Sequence, residues 1–124
     1  MRYTVECAGM VLGYTELLER DEGMGIACGR FHAAPDYSRV QPIFRLFAEA
    51  TPETSASPTD EQKLARYYAG RDALGLTLLD SVGREIYTDT IHIADYTVEE
   101  GPEALEVEIV LRDPSFFEAP SVSD

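Results

Sequence analysis

The stretch LEVEIVLR, Leu105–Arg112, decides how this chain is read. Leu105, Val107, Ile109 and Leu111 alternate with Glu106, Glu108, Val110 and Arg112. Successive side chains of a strand point to opposite faces, so this is a strand with one apolar and one largely acidic face. A strand buried on both faces, as in a parallel sheet, would be apolar throughout. The alternation therefore places Leu105–Leu111 in an antiparallel sheet with one face on the core.

Upstream of it the chain keeps the same character. Ile91–Val98 reads as a strand, and Leu76–Asp80 and Arg84–Thr88 flank the turn SVG as a hairpin. At the other end, Arg2–Ala8 alternates Tyr3, Val5 and Cys7 against Thr4 and Glu6. Gly9–Met10 turns the chain, and Val11–Leu18 returns as a second arm, with Gly13 marking a bulge or a close backbone approach. ERDEG, Glu19–Gly23, reads as a polar turn, and Ile26–His32 as the next strand.

Helical signals fall between these blocks. Val40, Ile43, Phe44 and Phe47 occupy one face at helical spacing, and Pro42 suits the first turn of a helix over 42–50, preceded by a separate turn over 36–41. TPETSASPT, Thr51–Thr59, reads as a loop. Thr59 has capping-box spacing to Gln62, and Leu64, Tyr67 and Tyr68 give a second helix its apolar face. Together these elements predict an α+β fold. One largely antiparallel sheet of about six to seven strands carries two helices on one face, with Val107 and Ile109 facing Phe44 and Phe47. Residues 1–118 form a single domain, Phe116 and Phe117 dock onto it, and 119–124 is a frayed tail.

Charge narrows the function. The formal net charge is −13 over 124 residues. Residues 1–71 carry ten acids and eight bases, whereas 72–124 carry 13 acids and only Arg84 and Arg112. Such a field repels phosphate backbones and anionic lipid, so direct nucleic-acid or membrane binding is not expected. No run approaches the roughly 18 apolar residues of a membrane span. The N-terminus alternates like a strand rather than reading as a signal peptide, which gives the cytoplasm as the expected compartment. Nine of the ten bases are arginine, which suggests a GC-rich bacterial genome. Cys7 and Cys28 lack framework spacing and read as reduced thiols.

Four groupings of residues bear on chemistry. GMGIACG, Gly23–Gly29, departs from G-x-G-x-x-G spacing and precedes a strand, so its glycines serve backbone geometry rather than phosphate binding. Cys28 and His32 share a strand face but lie about 13 Å apart along it, too far for a thiol–imidazole pair. Cys7, Cys28, His32 and His92 lack the short pair spacings of zinc modules, so no metal, no cofactor and no catalytic residue is assigned. Asp89 and Asp95 fall on the face opposite His92 in a regular strand.

What remains is the acidic face: Glu106 and Glu108 on one strand, with Glu99, Glu100 and Glu103 in the preceding turn. Such charge either solvates a sheet face, guards a sheet edge, or docks a cationic partner. The expectation is a non-enzymatic binding module for a basic protein partner. An inhibitor or immunity-type protein masking a nucleic-acid-facing site would fit. Arg39 and Arg45 are expected to lie far from that surface. The alternative is a small enzyme or ligand binder with a pocket near Cys28, Arg30, His32 and His92, walled by Tyr37, Tyr67 and Tyr68.

Overall fold

The computed structural model describes residues 2–51, 59–112 and 115–118. Most of the expected loop Thr51–Thr59, over 52–58, and the expected tail 119–124 lie outside these residues. The fold is α+β, with nine strands in two antiparallel sheets among the described residues.

The first sheet holds β1 (Tyr3–Cys7), β2 (Met10–Thr15), β5 (His32–Ala33), β6 (Thr77–Leu79) and β7 (Glu85–Ile86), in the order β5-β2-β1-β6-β7. The second holds β3 (Glu19–Asp21), β4 (Ile26–Arg30), β8 (Thr88–Asp95) and β9 (Leu105–Leu111), in the order β3-β4-β9-β8. The expectation of one sheet of six to seven strands is thus corrected to two sheets. The reason is visible at Phe31. The expected strand Ile26–His32 breaks there: β4 pairs with β9, whereas β5 pairs with β2. Phe31 is buried at the crossing, and its N–H donates to Leu105 O at 3.0 Å. Periodicity reports which face is apolar, not which strand lies alongside.

Inward residues of both sheets share one apolar cluster. It contains Val5, Leu12 and Leu78 from the first sheet and Ile93, Val107 and Ile109 from the second. The helices add Phe44 and Tyr67 to it. Pro35–Arg39 forms a 3₁₀ turn, and α1 (Gln41–Ala50) has Pro42 in its first turn, as its missing N–H and fixed φ favour. Phe44 is fully buried, with Ile43 and Phe47 partly so, and α1 lies against β8 and α2. Helix α2 (Glu61–Leu74) is capped by Asp60, not Thr59: its Oδ1 accepts from the N–H groups of Gln62 and Lys63, each at 3.1 Å. An aromatic ladder binds these parts, running Phe31–Tyr37–Phe44–Tyr67 with centroid spacings of 5.5, 6.2 and 6.1 Å.

Local signals hold elsewhere. The β1–β2 register shifts between Val5 and Glu6, opposite Gly13. A Cβ on Gly13 would sit 2.4 Å from the Phe31 ring, so only glycine lets that ring approach the strand so closely. The β6–β7 hairpin is held by Asp80, whose carboxylate accepts from the Val82 and Arg84 N–H groups at 3.0 and 2.9 Å. The expected strand Ile91–Val98 ends at Asp95, and Thr97–Glu100 forms a one-turn helix, α3. ERDEG is also corrected: Glu19–Asp21 is an edge strand, fully exposed, which no apolar alternation announces. Phe116, in the one-turn α4 (Ser115–Glu118), is buried with its ring 5.6 Å from Tyr3.

Candidate functional site

The outer face of the four-stranded sheet gathers most of the residues singled out above. Residues directly opposite in an antiparallel sheet project to the same face. Glu19, Cys28, Glu108 and His92 therefore form one row across all four strands. Arg30, Glu106 and Ala94 form the next. Glu106 and Glu108 are exposed, while Val107 and Ile109, which alternate with them, are fully buried. Because β9 is flanked by β4 and β8, these two glutamates do not guard an edge; Glu19 and Asp21 on β3 do.

The acids differ in what they already bind. Glu99 grips Arg45 in a two-pronged pair, Nη1 to Oε1 and Nη2 to Oε2, both at 2.8 Å. Arg45 is thus next to the acidic turn, not remote from it, and its bond holds the Glu99 carboxyl below the usual range. Glu103 pairs with Arg30 at 2.6 Å across the sheet end. Among the described residues Glu16, Glu19, Glu100, Glu106 and Glu108 make no ion pair.

Cys28 lies within this field. Burial pushes its thiol pKa up, and the charges of Glu108, Glu19 and Glu106 push it further. A nucleophilic cysteine needs cationic surroundings that stabilise thiolate, and this site supplies the reverse. Cys7 is free and buried, its Sγ 3.2 Å from Leu74 O. No group of three or more His, Cys, Asp or Glu side chains is placed to hold a metal among the described residues.

The residues of the alternative pocket are separated. His32 lies on β5 in the other sheet from Cys28. Tyr37 and Tyr67 are buried in the aromatic ladder. His92 is held by that ladder: its ring stacks edge-on against Phe47, and its Nδ1 bonds Tyr67 Oη. Arg71 Nη1 donates to the same Tyr67 oxygen at 3.4 Å. Burial, aided by the Arg71 charge, lowers the His92 pKa to about 4, so the ring is neutral at pH 7. Burial raises Tyr67 to about 12. The neutral imidazole has one protonated and one bare nitrogen, so its tautomer sets whether Nδ1 accepts the Tyr67 proton or donates to that oxygen. Arg30 and His32, by contrast, do come together, with Glu106, at a cleft of about 250 Å³ beside the Thr15–Glu19 turn.

Sequence reasoning missed two features. One is Glu19, and the other is Asp95. Asp95 is fully buried, and Oδ2 accepts from Tyr37 Oη at 2.7 Å and Gln41 Nε2 at 2.9 Å. Its Oδ1 accepts from the Thr97 hydroxyl and N–H at 2.6 and 3.1 Å. Burial alone would raise its pKa, but the bonds from Thr97, Tyr37 and Gln41 outweigh it and hold the carboxyl below its usual range. The local signal is Asp-x-Thr at a strand end, an Asx-turn pattern. Tyr37 and Gln41 are too distant in sequence to be read from it.

Comparison with protein-family models, curated proteins and solved structures gives no match. The class these features define is architectural: an α+β protein of two antiparallel sheets with an acidic outer sheet face. No helix among the described residues is long and apolar enough to cross a membrane.

Proposed function

We propose that the protein is a non-enzymatic binding module that presents the outer face of β3, β4 and β9 to a basic protein. The observation that carries this reading is the freedom of Glu19, Glu106 and Glu108. They share one face, and none has an ion-pair partner among the described residues. Two of them stand on an interior strand, where protection of a sheet edge explains nothing. A sheet face is rigid, so its charges are held in place before a partner arrives. Complementary charge then speeds encounter and selects the partner. The roles that suit it are those of an inhibitor or immunity-type protein in a bacterial cytoplasm, masking the nucleic-acid-facing surface of a toxin or enzyme. Cys28 fits this role as a small half-buried thiol, inert in its acidic surroundings.

The test is a paired capture experiment. Wild type and the Glu106→Gln/Glu108→Gln variant are immobilised and exposed to the same source lysate at low and physiological salt. A basic protein should be retained by wild type, lost from the variant, and associate more slowly as salt rises, since screening shortens to about 8 Å at physiological ionic strength. Identical retention by both proteins at both salt concentrations would reduce the acidic face to a solubility feature.

A further inference from the structure

One concave feature adjoins the acidic face and specifies more than charge. The Thr15–Glu19 turn, β4 and β9 enclose the cleft of about 250 Å³. It exists because Gly29 lets that turn press against β4. A Cβ on Gly29 would lie 2.9 Å from both Leu17 N and Thr15 Oγ1. The turn is pinned there: Leu17 is fully buried, and its N–H donates to the buried Thr15 hydroxyl at 3.3 Å. Anchoring Leu17 inward leaves its neighbours Glu16 and Leu18 exposed at the cleft wall.

We infer that this cleft is the socket for one arginine or lysine side chain of the partner, an inference that rests on the binding role proposed above. Three arguments converge. The first is charge. Glu16 and Glu19 from the Thr15–Glu19 turn and Glu106 from β9 line the cleft without ion pairs among the described residues. The one guanidinium at the wall, Arg30, is committed to Glu103 at 2.6 Å. Three carboxylates outnumber the Arg30 guanidinium, with the His32 ring beside it, so an anionic ligand would meet net repulsion, whereas a cation meets three acceptors. The second is size. At about 250 Å³ the cleft falls below the roughly 300–1,000 Å³ of small-molecule pockets and suits a single long side chain. The third is polarity along its length. Leu18 is 76% exposed at the wall, apolar surface against which the methylene stem of a long basic side chain packs while its head reaches the carboxylates. Glu19 and Glu106 belong both to the cleft and to the sheet face, so a partner seated on the face delivers its side chain into the socket.

The probe is N-acetyl-arginine amide, with N-acetyl-citrulline amide as its uncharged isostere, titrated into the ¹⁵N-labelled protein. Amide shifts should concentrate at residues 16–19, 29–30 and 106 with the arginine probe and be absent with citrulline. The Glu19→Gln/Glu106→Gln variant, its fold verified by an otherwise unchanged spectrum, should bind the arginine probe at least about fivefold more weakly, the scale of losing two exposed charge pairs. Equal shifts with citrulline, or arginine shifts scattered away from the cleft, would overturn the inference. A second arm separates it from the parent reading. Glu16→Gln alters the cleft only, and Glu108→Gln alters the sheet face only. If Glu108→Gln weakens partner capture and Glu16→Gln leaves it unchanged, the socket is wrong and the docking face stands. If neither matters, both fail. Weaker capture by Glu16→Gln supports the socket.

Discussion

Asp95 and His92 sit three residues apart on β8 and point opposite ways, and each titrates in its own pH window. Asp95 faces inward, where it orders the 3₁₀ turn, α1 and α3 around one carboxylate. Replacing it with alanine leaves buried donors of Tyr37, Gln41 and Thr97 without an acceptor. Asp95→Ala should cost about 3–5 kcal/mol and Tyr37→Phe about 1–2 kcal/mol, measured by urea unfolding. A loss below about 1 kcal/mol for Asp95→Ala would show that the carboxylate organises nothing. His92 behaves differently. Its pKa in the folded protein, about 4, lies below the 6.5 of a free imidazole. The unfolded chain therefore takes up the proton first, and stability falls as pH drops from 6.5 toward 4. About 1–2 kcal/mol should be lost between pH 7 and pH 5. His92→Gln should flatten that slope. Asp95, held below its ordinary 3.8, loses its contribution only at lower pH, so the two windows are separable.

At the scale of elements, β9 carries both fold and function on alternate residues. Its inward residues Val107 and Ile109 are fully buried, and Glu106 and Glu108 are exposed one step away. Ile109→Ala should therefore cost about 2–5 kcal/mol, as should Phe44→Ala in α1, while Glu108→Gln should change stability by less than about 0.5 kcal/mol. Thermal or urea unfolding of the three variants checks this. A comparable loss at Glu108 would place it in a structural contact, and near-zero cost at both Ile109 and Phe44 would contradict the shared core. The expected alternation on β9 and the Pro42 start of α1 were legible because each depends on residues within one element. Its sheet partners were not, since the same strand pattern serves either sheet. Glu19 illustrates the difference: a three-residue, fully exposed edge strand has no apolar period to read.

Over the whole molecule, the net charge of −13 opposes compaction, because 13 acids in the second half meet two arginines there. The pairs that cross the structure, Arg45–Glu99 and Arg30–Glu103, offset only part of this. Stability should rise with salt. Between 10 and 150 mM sodium chloride the screening length falls from about 30 to about 8 Å, and Tm should increase by about 2–5 °C. Glu106→Gln/Glu108→Gln should raise Tm at low salt, with the gap closing at high salt. A Tm that falls with salt would mean that the ion pairs outweigh the repulsion.

Sequence alone determined what depends on neighbours along the chain. That includes the α+β class, the two-faced character of β9, the Gly13 irregularity, the Asp80–Arg84 hairpin and the helix start at Pro42. Periodicity, turn chemistry and proline geometry act over a few residues, so they can be read directly. Tertiary structure decided everything that depends on which distant segments meet. The chain divides into two sheets at Phe31 because β4 finds β9 and β5 finds β2. Glu99 pairs with Arg45 across 54 positions, and Asp95 is buried beneath Tyr37 across 58. Glu19, Cys28, Glu108 and His92 share a row only because four strands align in register. Hydrogen-bond register and side-chain burial are properties of the assembled sheets. No single segment carries them.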